Sequence, residues 1–325
     1  MKIKTLFHFG IGWAASLVLC TGTAHAQDYP TRPITLVVPF GTGNIADNQG
    51  RMIAHYLSTA LGQPVIVENK PGAGGTIGTE YVARAPADGY TLLYGTHGTQ
   101  AANSALYPHR HINPDKDLRA VHSLFRQSTV LVTPANRPWH NLQEMLAAAR
   151  KAPGRLSYAS SGIGTQTHLA AAKFQEAAKV TFLHIPYNNQ SSMTDLLAGN
   201  VDLSFSYAES VQQYVVNGRL RALAINGKTR MDVLPGVPTV GEAGYPDAAL
   251  EGWSGIFVPR GTPDAIVARL AREIGNATES GSMKKAMAQI GSYPMGLSDK
   301  AFQSFVDAEV PRWRKIVENA GAAKH

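Results

Sequence analysis

Residues 41–46 read Gly-Thr-Gly-Asn-Ile-Ala, the spacing G-x-G-x-x-A. They follow an apolar, β-branched run at 34–38, and Met52, Ile53, Tyr56, Leu57 and Ala60 beyond them fall at helical spacing. Pro39 ends the run, because proline cannot donate to a strand ladder. Small residues between a strand and a helix let backbone approach a ligand closely. The N–H groups and the positive helix end behind them attract an anion. Two chemistries use such a loop. One is pyrophosphate binding in an oxidoreductase, with Glu68 at the end of the next apolar run as the ribose-binding acid. The other is capture of a small anion. Pro39-Phe40 lengthens the turn relative to a dinucleotide fingerprint, and no hydride-transfer site accompanies it, which favours capture.

Other catalytic patterns are missing from the sequence. Gly252-Trp253-Ser254-Gly255 lacks the spacing of a nucleophile elbow, and there is neither a P-loop nor an H-E-x-x-H helix. The histidines do not recur at metal-ligand spacing, and His109 and His111 read as surface residues. Cys20 is the only cysteine. No catalytic residue, metal or cofactor is expected. What remains is an inventory of neutral donors in loops that end strands and open helices. These are Thr42 and Asn44; Thr96 and Thr99, with His97 and Gly98 between them; Ser160, Ser161, Thr165 and Gln166, with Gly164 in the same loop; Tyr187 and Asn188; and Ser206 beside Tyr207. Such groups, with backbone N–H, hold a carboxylate by charge-assisted hydrogen bonds and need no lysine or arginine.

The elements that must carry these loops are legible in order. Strands are expected at 34–38, 65–68 and 90–94, alternating with helices from Asp47 and at 76–85. After a composition shift at 118–126, a strand at 129–133 and a helix at 142–151 lead into a second series. Its strands lie at 156–159, 180–185, 201–205 and 220–225, its helices at 167–178 and ending at 198 and 217. A strand at 252–258 returns the chain to the first unit, and helices at 263–278, 282–290 and 298–320 complete it, the last broken or kinked near Val310 by Pro311. Alternation of this kind means α/β lobes with doubly wound parallel sheets, whose ligands bind beyond the carboxyl ends of the strands. Residues 27–126 and 248–325 form a discontinuous first lobe and 127–247 a second. Their loops face one another across a cleft that closes on a ligand.

Residues 1–26 stand apart. Lys2 and Lys4, an apolar stretch at 11–20 and Ala24-His25-Ala26 read as a secretory signal peptide cleaved after Ala26. A lipoprotein anchor at Cys20 is the alternative, but Leu19 is bulky for that position. The formal charge of +7 falls to +5 without Lys2 and Lys4. The remaining basic residues are scattered. Lys284-Lys285 and the group at 312–315 sit in amphipathic helical stretches, so a nucleic-acid partner is not expected.

In combination, several motifs resemble the Bug, or TctC-type, solute-binding receptors of tripartite tricarboxylate transport systems. They are VVPF (37–40) with Asp47 and Arg51, VENKPGAGGTIG (67–78), DGYTLLYGT (88–96), YASSGIGTQTHLAA (158–171), HIPYNN (184–189), DLLAGNVDLSF (195–205) and LPGVPTVGEAGYP (234–246). The resemblance covers nearly the whole mature chain. It implies a type II periplasmic binding protein, two α/β lobes around a ligand cleft, acting without catalysis as a monomer. It would capture a di- or tricarboxylate, or an aromatic carboxylate such as terephthalate, and pass it to membrane subunits. A sensory receptor without transport carries the same signature. Carried over by position, the resemblance places residues 41–47 and 96–99 in one wall. Ser160, Ser161, Gly164, Thr165, Tyr187, Asn188, Ser206 and Tyr207 stand in the other. Two departures matter. Gly41-Thr42-Gly43-Asn44-Ile45 replaces a stiffer Pro-Pro-Gly-Gly-Gly, and Ser206-Tyr207 replaces Asp-Asn. Losing that aspartate disfavours an ammonium-bearing ligand, and the added ring suits a flatter acid.

Overall fold

The computed structural model describes residues 29–108, 113–187 and 192–323. The leader, His109, His111 and Asn188 lie outside these residues.

The first unit runs β1 (Ile34–Val38), α1 (Ile45–Leu61), β2 (Val65–Asn69), α2 (Thr76–Ala83) and β3 (Thr91–Thr96). β1 lies parallel between β2 and β3, and only Thr35 of its five residues escapes full burial. Asn44 starts α1 by accepting the Asp47 N–H, and Gly62 ends it in the left-handed conformation. A π-helical turn (Gly98–Ala102), α3 (Asn103–Leu106) and α4 (Pro114–Asp117) precede β4 (Leu118–Pro134). Then come α5 (Leu142–Lys151), β5 (Ser157–Ser160), α6 (Gln166–Ala178), β6 (Leu183–Pro186), α7 (Met193–Ala198), β7 (Leu203–Tyr207), α8 (Ala208–Val216) and β8 (Leu220–Ile225). The chain closes with β9 (Glu251–Pro259), α9 (Asp264–Glu279), α10 (Gly281–Ala288), β10 (Ser292–Pro294) and α11 (Asp299–Asn319).

The strands form one mixed sheet in the order β2-β1-β3-β9-β4-β7-β5-β6, with β8 and β10 also paired to β4. The expected parallel winding holds within β1–β3 and within β5–β7. β9 and β4 run antiparallel between them. A chain that passes between units inside the sheet needs no crossover helix if it reverses direction. The stretch at 118–126, expected as a change of composition, is the first half of the 17-residue β4. Its register shifts between Ser123 and Arg126, and Arg126 is its one exposed residue.

Helix α11 runs unbroken through Pro311, against the expected break. Proline removes one N–H, whose acceptor would have been the carbonyl of Asp307. Both residues are exposed, so water can replace that bond. The opposite face buries Phe302, Val306, Val310, Trp313 and Val317 at helical spacing, which outweighs the loss. Within that face lies the buried Glu309. Its Oε2 accepts the indole N–H of Trp253 in β9 at 2.9 Å and of Trp313 at 2.7 Å, and Oε1 accepts from Arg312. Glu309→Ala strands two buried donors and is expected to cost about 2–5 kcal/mol, with Glu309→Gln costing less. Urea midpoints of the two variants check this.

Candidate functional site

A cavity of about 310 Å³ opens beyond the carboxyl ends of β1, β3, β5 and β7. The loop after β1 contributes Phe40, Asn44, Ile45 and Ala46, and the loop after β3 contributes Thr96, His97 and Gly98. From the other half come Ser161, Ile163, Gly164 and Thr165, the helix start Gln166-Thr167, and Tyr207 at the end of β7. No lysine, arginine, aspartate or glutamate stands among the lining residues. Ile45 and Ala46 open α1 while Gln166 and Thr167 open α6. The first N–H groups of a helix have no acceptor within it, and the positive ends of two dipoles meet at this cavity. The arrangement offers dipoles to a negative group, beside an apolar space bounded by Phe40, Tyr94, Leu106, Tyr107 and Ile163.

Each loop is held by its own polar groups. After β1, the Gly43 N–H donates to Asp47 Oδ2 at 2.9 Å, and Asp47 also accepts from Arg51 Nε and Asn69 Nδ2. Burial pushes the Asp47 carboxyl up. The donors from Gly43, Arg51 and Asn69 outweigh it and hold the group below the usual carboxylate range. Asp47 is therefore a strut behind the loop. Gly41, Thr42 and Gly43 are exposed and stand outside the cavity wall, and the Gly43 amide is already taken. The same geometry speaks against a dinucleotide. A carboxylate occupies the loop where pyrophosphate would sit, and Glu68 is ion-paired with Lys70.

After β3, Thr96 and Thr99 exchange bonds between backbone N–H and side-chain hydroxyl, which leaves Thr99 buried behind the wall. His97 stacks on Trp313 at 4.4 Å, and its Nδ1 accepts the Trp253 N–H at 3.3 Å. Burial pushes its imidazole down to about 4, so the ring is neutral where it meets the cavity. After β5, the Ser161 N–H donates to Thr167 Oγ1, the Gly162 N–H to Ser160 Oγ, and the Gly164 N–H to His168 Nδ1. Gly164 has φ +79°, and a Cβ there would stand 2.7 Å from Leu106 Cδ2. Glycine alone allows this turn to close against α3 of the other half.

Of the sequence-derived candidates, Asn44, Thr96, His97, Gly98, Ser161, Gly164, Thr165 and Tyr207 line the cavity. Ser160 is buried behind it, Ser206 bonds Ser204, and the Tyr187 hydroxyl donates to Asp195, so these three stand outside the wall. Sequence reasoning missed Tyr94, Asn103, Leu106, Tyr107, Gln127 and Ile163 as wall residues. Tyr94 sits at a strand's carboxyl end, which is a usable signal. Leu106, Tyr107 and Ile163 have none, because an apolar side chain in a loop or short helix reads as core, and Asn103 and Gln127 are lone polar residues outside any small-residue loop.

Asp47→Ala is expected to cost about 1–3 kcal/mol by removing a buried carboxylate that accepts from the Gly43 amide, Arg51 and the Asn69 side chain. The Asp47 carboxyl sits below its unfolded value of about 3.9. Its contribution is complete above that pH and is lost as pH falls through the folded value. The wild type should therefore lose stability below about pH 4 more steeply than the variant. Denaturant midpoints from pH 7 to pH 3 check both points.

Comparison with known proteins agrees with this geometry. The family model described as tripartite tricarboxylate transporter family receptor, TctC, matches residues 50–322. A protein from the tcbD–tcbE intergenic region of Pseudomonas sp. strain P51 is 37% identical over 307 residues, covering 93% of this chain and 91% of the relative. BugT of Bordetella pertussis is 34% identical over 299 residues, covering 91% and 92%. The solved structure of Rpa4515 of R. palustris with adipate is similar at a TM-score of 0.82 and 34% identity, over 91% of this chain and 99% of that one. The chain belongs to the TctC, or Bug, family of tripartite tricarboxylate transporter receptors.

Proposed function

We propose that the chain is a non-catalytic periplasmic receptor for a carboxylate with an apolar body, either an aromatic acid or a medium-chain dicarboxylate. It closes between two lobes, residues 27–126 with 248–325 and residues 127–247, and delivers its ligand as a monomer to tripartite tricarboxylate transporter membrane subunits. Cleavage after Ala26 releases it to the periplasm. One observation carries the reading: helix starts from opposite halves of the sheet meet at one cavity whose wall holds no charged side chain. An anion fits there because N–H dipoles solvate it without a buried cation. The adipate in the related R. palustris structure is a carboxylate of the proposed kind. Loss of the Asp-Asn pair in favour of Ser206-Tyr207, and the ring of Tyr207 in the wall, support an acid without an ammonium group.

Thermal unfolding of the mature chain against adipate, other C4–C8 dicarboxylates, benzoate, phthalate isomers, citrate, glutamate and oxidised NAD tests this. Ligand at about a hundred times its dissociation constant adds about 2.7 kcal/mol, a shift of several degrees for a chain of this size. A shift with one or more apolar-bodied carboxylates is the expected result. A shift with NAD alone overturns the proposal.

A further inference from the structure

Two histidines outside the cavity wall sit directly behind the loop at 160–165. The rings of His168, in α6, and His184, in β6, stack at 4.3 Å with 5° between their planes. Tyr158 of β5 stacks on the far face of His184 at 4.7 Å and 12°. Three elements are thus joined by one column of rings under the loop. Each imidazole acts on the loop through an unprotonated nitrogen. His168 Nδ1 accepts the Gly164 N–H at 3.1 Å. His184 Nε2 lies 2.6 Å from Ser160 Oγ, which itself accepts the Gly162 N–H at 3.2 Å. The other acceptor in reach of the Ser160 hydroxyl, the Gly162 carbonyl, stands at 3.4 Å, so the much shorter contact assigns the Ser160 proton to His184, and the relay runs from Gly162 N–H to Ser160 hydroxyl to imidazole. Donors on alternate loop residues are turned inward, onto the ring column.

We propose that His168 and His184 are positioning residues for the ligand loop, a stacked pair of neutral acceptors that fix its backbone in the binding conformation. The inference rests on the receptor reading above only for its last link, from loop geometry to affinity. Protonation of either ring would replace an acceptor by a donor and would set a charge against its partner. Tyr158 is the titratable group facing the pair from β5, and it carries no charge at neutral pH. No ion pair between either imidazole and a carboxylate occurs among the described residues. Burial, and for His168 the neighbouring ring of His184, depress both groups, His168 to about 4. Unfolded histidines take up protons at about pH 6.5. Between that pH and the folded value, the ligand-free fold loses up to about tenfold in its folded-to-unfolded ratio per pH unit and per histidine, while the loop itself stays intact.

The test uses His168→Asn, His168→Gln and His168→Leu in the mature chain. Asparagine places its oxygen near the position of Nδ1, glutamine near that of Nε2, and leucine offers no acceptor. In the ligand-free protein at pH 5.5, imidazole nitrogen shifts should report His168 neutral and His184 less protonated than a free histidine. Exchange of the Gly164 amide should be protected in wild type and within about threefold of it in His168→Asn, and faster by about tenfold in His168→Gln and His168→Leu. With adipate as probe, affinity should follow the same order, near wild type for asparagine and about tenfold weaker for the other two. Equal exchange and equal affinity in asparagine and glutamine variants would overturn the proposal, and so would a ring titrating near pH 6.5 in the folded chain. Should leucine prevent folding, the asparagine and glutamine pair still decides. If the wild type binds no carboxylate, the receptor reading fails, while the exchange arm still decides the role of the pair.

Discussion

The constraint behind this structure is that one strand belongs to two halves. β4 pairs with β9 and β10 along its first part and with β7 and β8 along its last. Nearly all its residues are buried, so either end is clamped in a packed core. Its ladder is irregular between Ala120 and His122, between Ser123 and Arg126 and between Leu131 and Val132, and at the second of these the Arg126 side chain reaches solvent. The next residue, Gln127, lines the cavity, and its carbonyl accepts from Gln166 at the start of α6. The seam between the two halves is therefore bonded to a helix start that meets the cavity.

Holding an anion without a counter-ion has an energetic logic. A lysine or arginine in a closed cavity would be a desolvated charge whenever the ligand was absent, at a cost of several kcal/mol. Helix dipoles carry no such penalty, since their N–H groups exist in every state of the chain and donate to water when no ligand is bound. The same economy explains the ionised groups nearby. Asp47 is answered by Arg51, Asn69 and the Gly43 amide, and Glu309 by two indoles and Arg312. Charge is kept to the scaffold behind the wall, and neutral rings such as His97 face inward.

Much of this was legible in the residues. β1 and α5 follow their apolar periodicity to the residue, because a buried parallel strand and an amphipathic helix are each set by local pattern. The last part of β4 was read at 129–133, but its first half was not, since Arg119, His122, Ser123, Arg126 and Gln127 break any strand periodicity, and their pairing with β9 and β10 is a tertiary fact. Of the kink or break expected in α11 near Val310, the break does not occur, because propensity is local and the burial that overrides it is not. Three of the loops were placed on the cavity by a rule of topology. Which side chains in them face inward was not, as Ser160 and Ser161 illustrate. They are adjacent and chemically identical, yet one holds the loop from behind and the other meets the cavity.

Gly252 has a consequence of its own. A Cβ there would stand 1.8 Å from Gln166 Oε1 and 2.8 Å from His97 Cε1. The glycine carbon thus lies within about 3.3 Å of that oxygen, in the range of a weak C–H···O contact. On its other side the same residue borders a second cavity of about 260 Å³, between β4, β9 and α11. The partition between the front cavity and the rear one is here the Gly252 backbone with the Gln166 side chain and the His97 ring laid against it. A methyl group added there would force the Gln166 side chain aside, and since Gln166 is a wall residue, a change at the back of the strand would reshape the chamber in front of it.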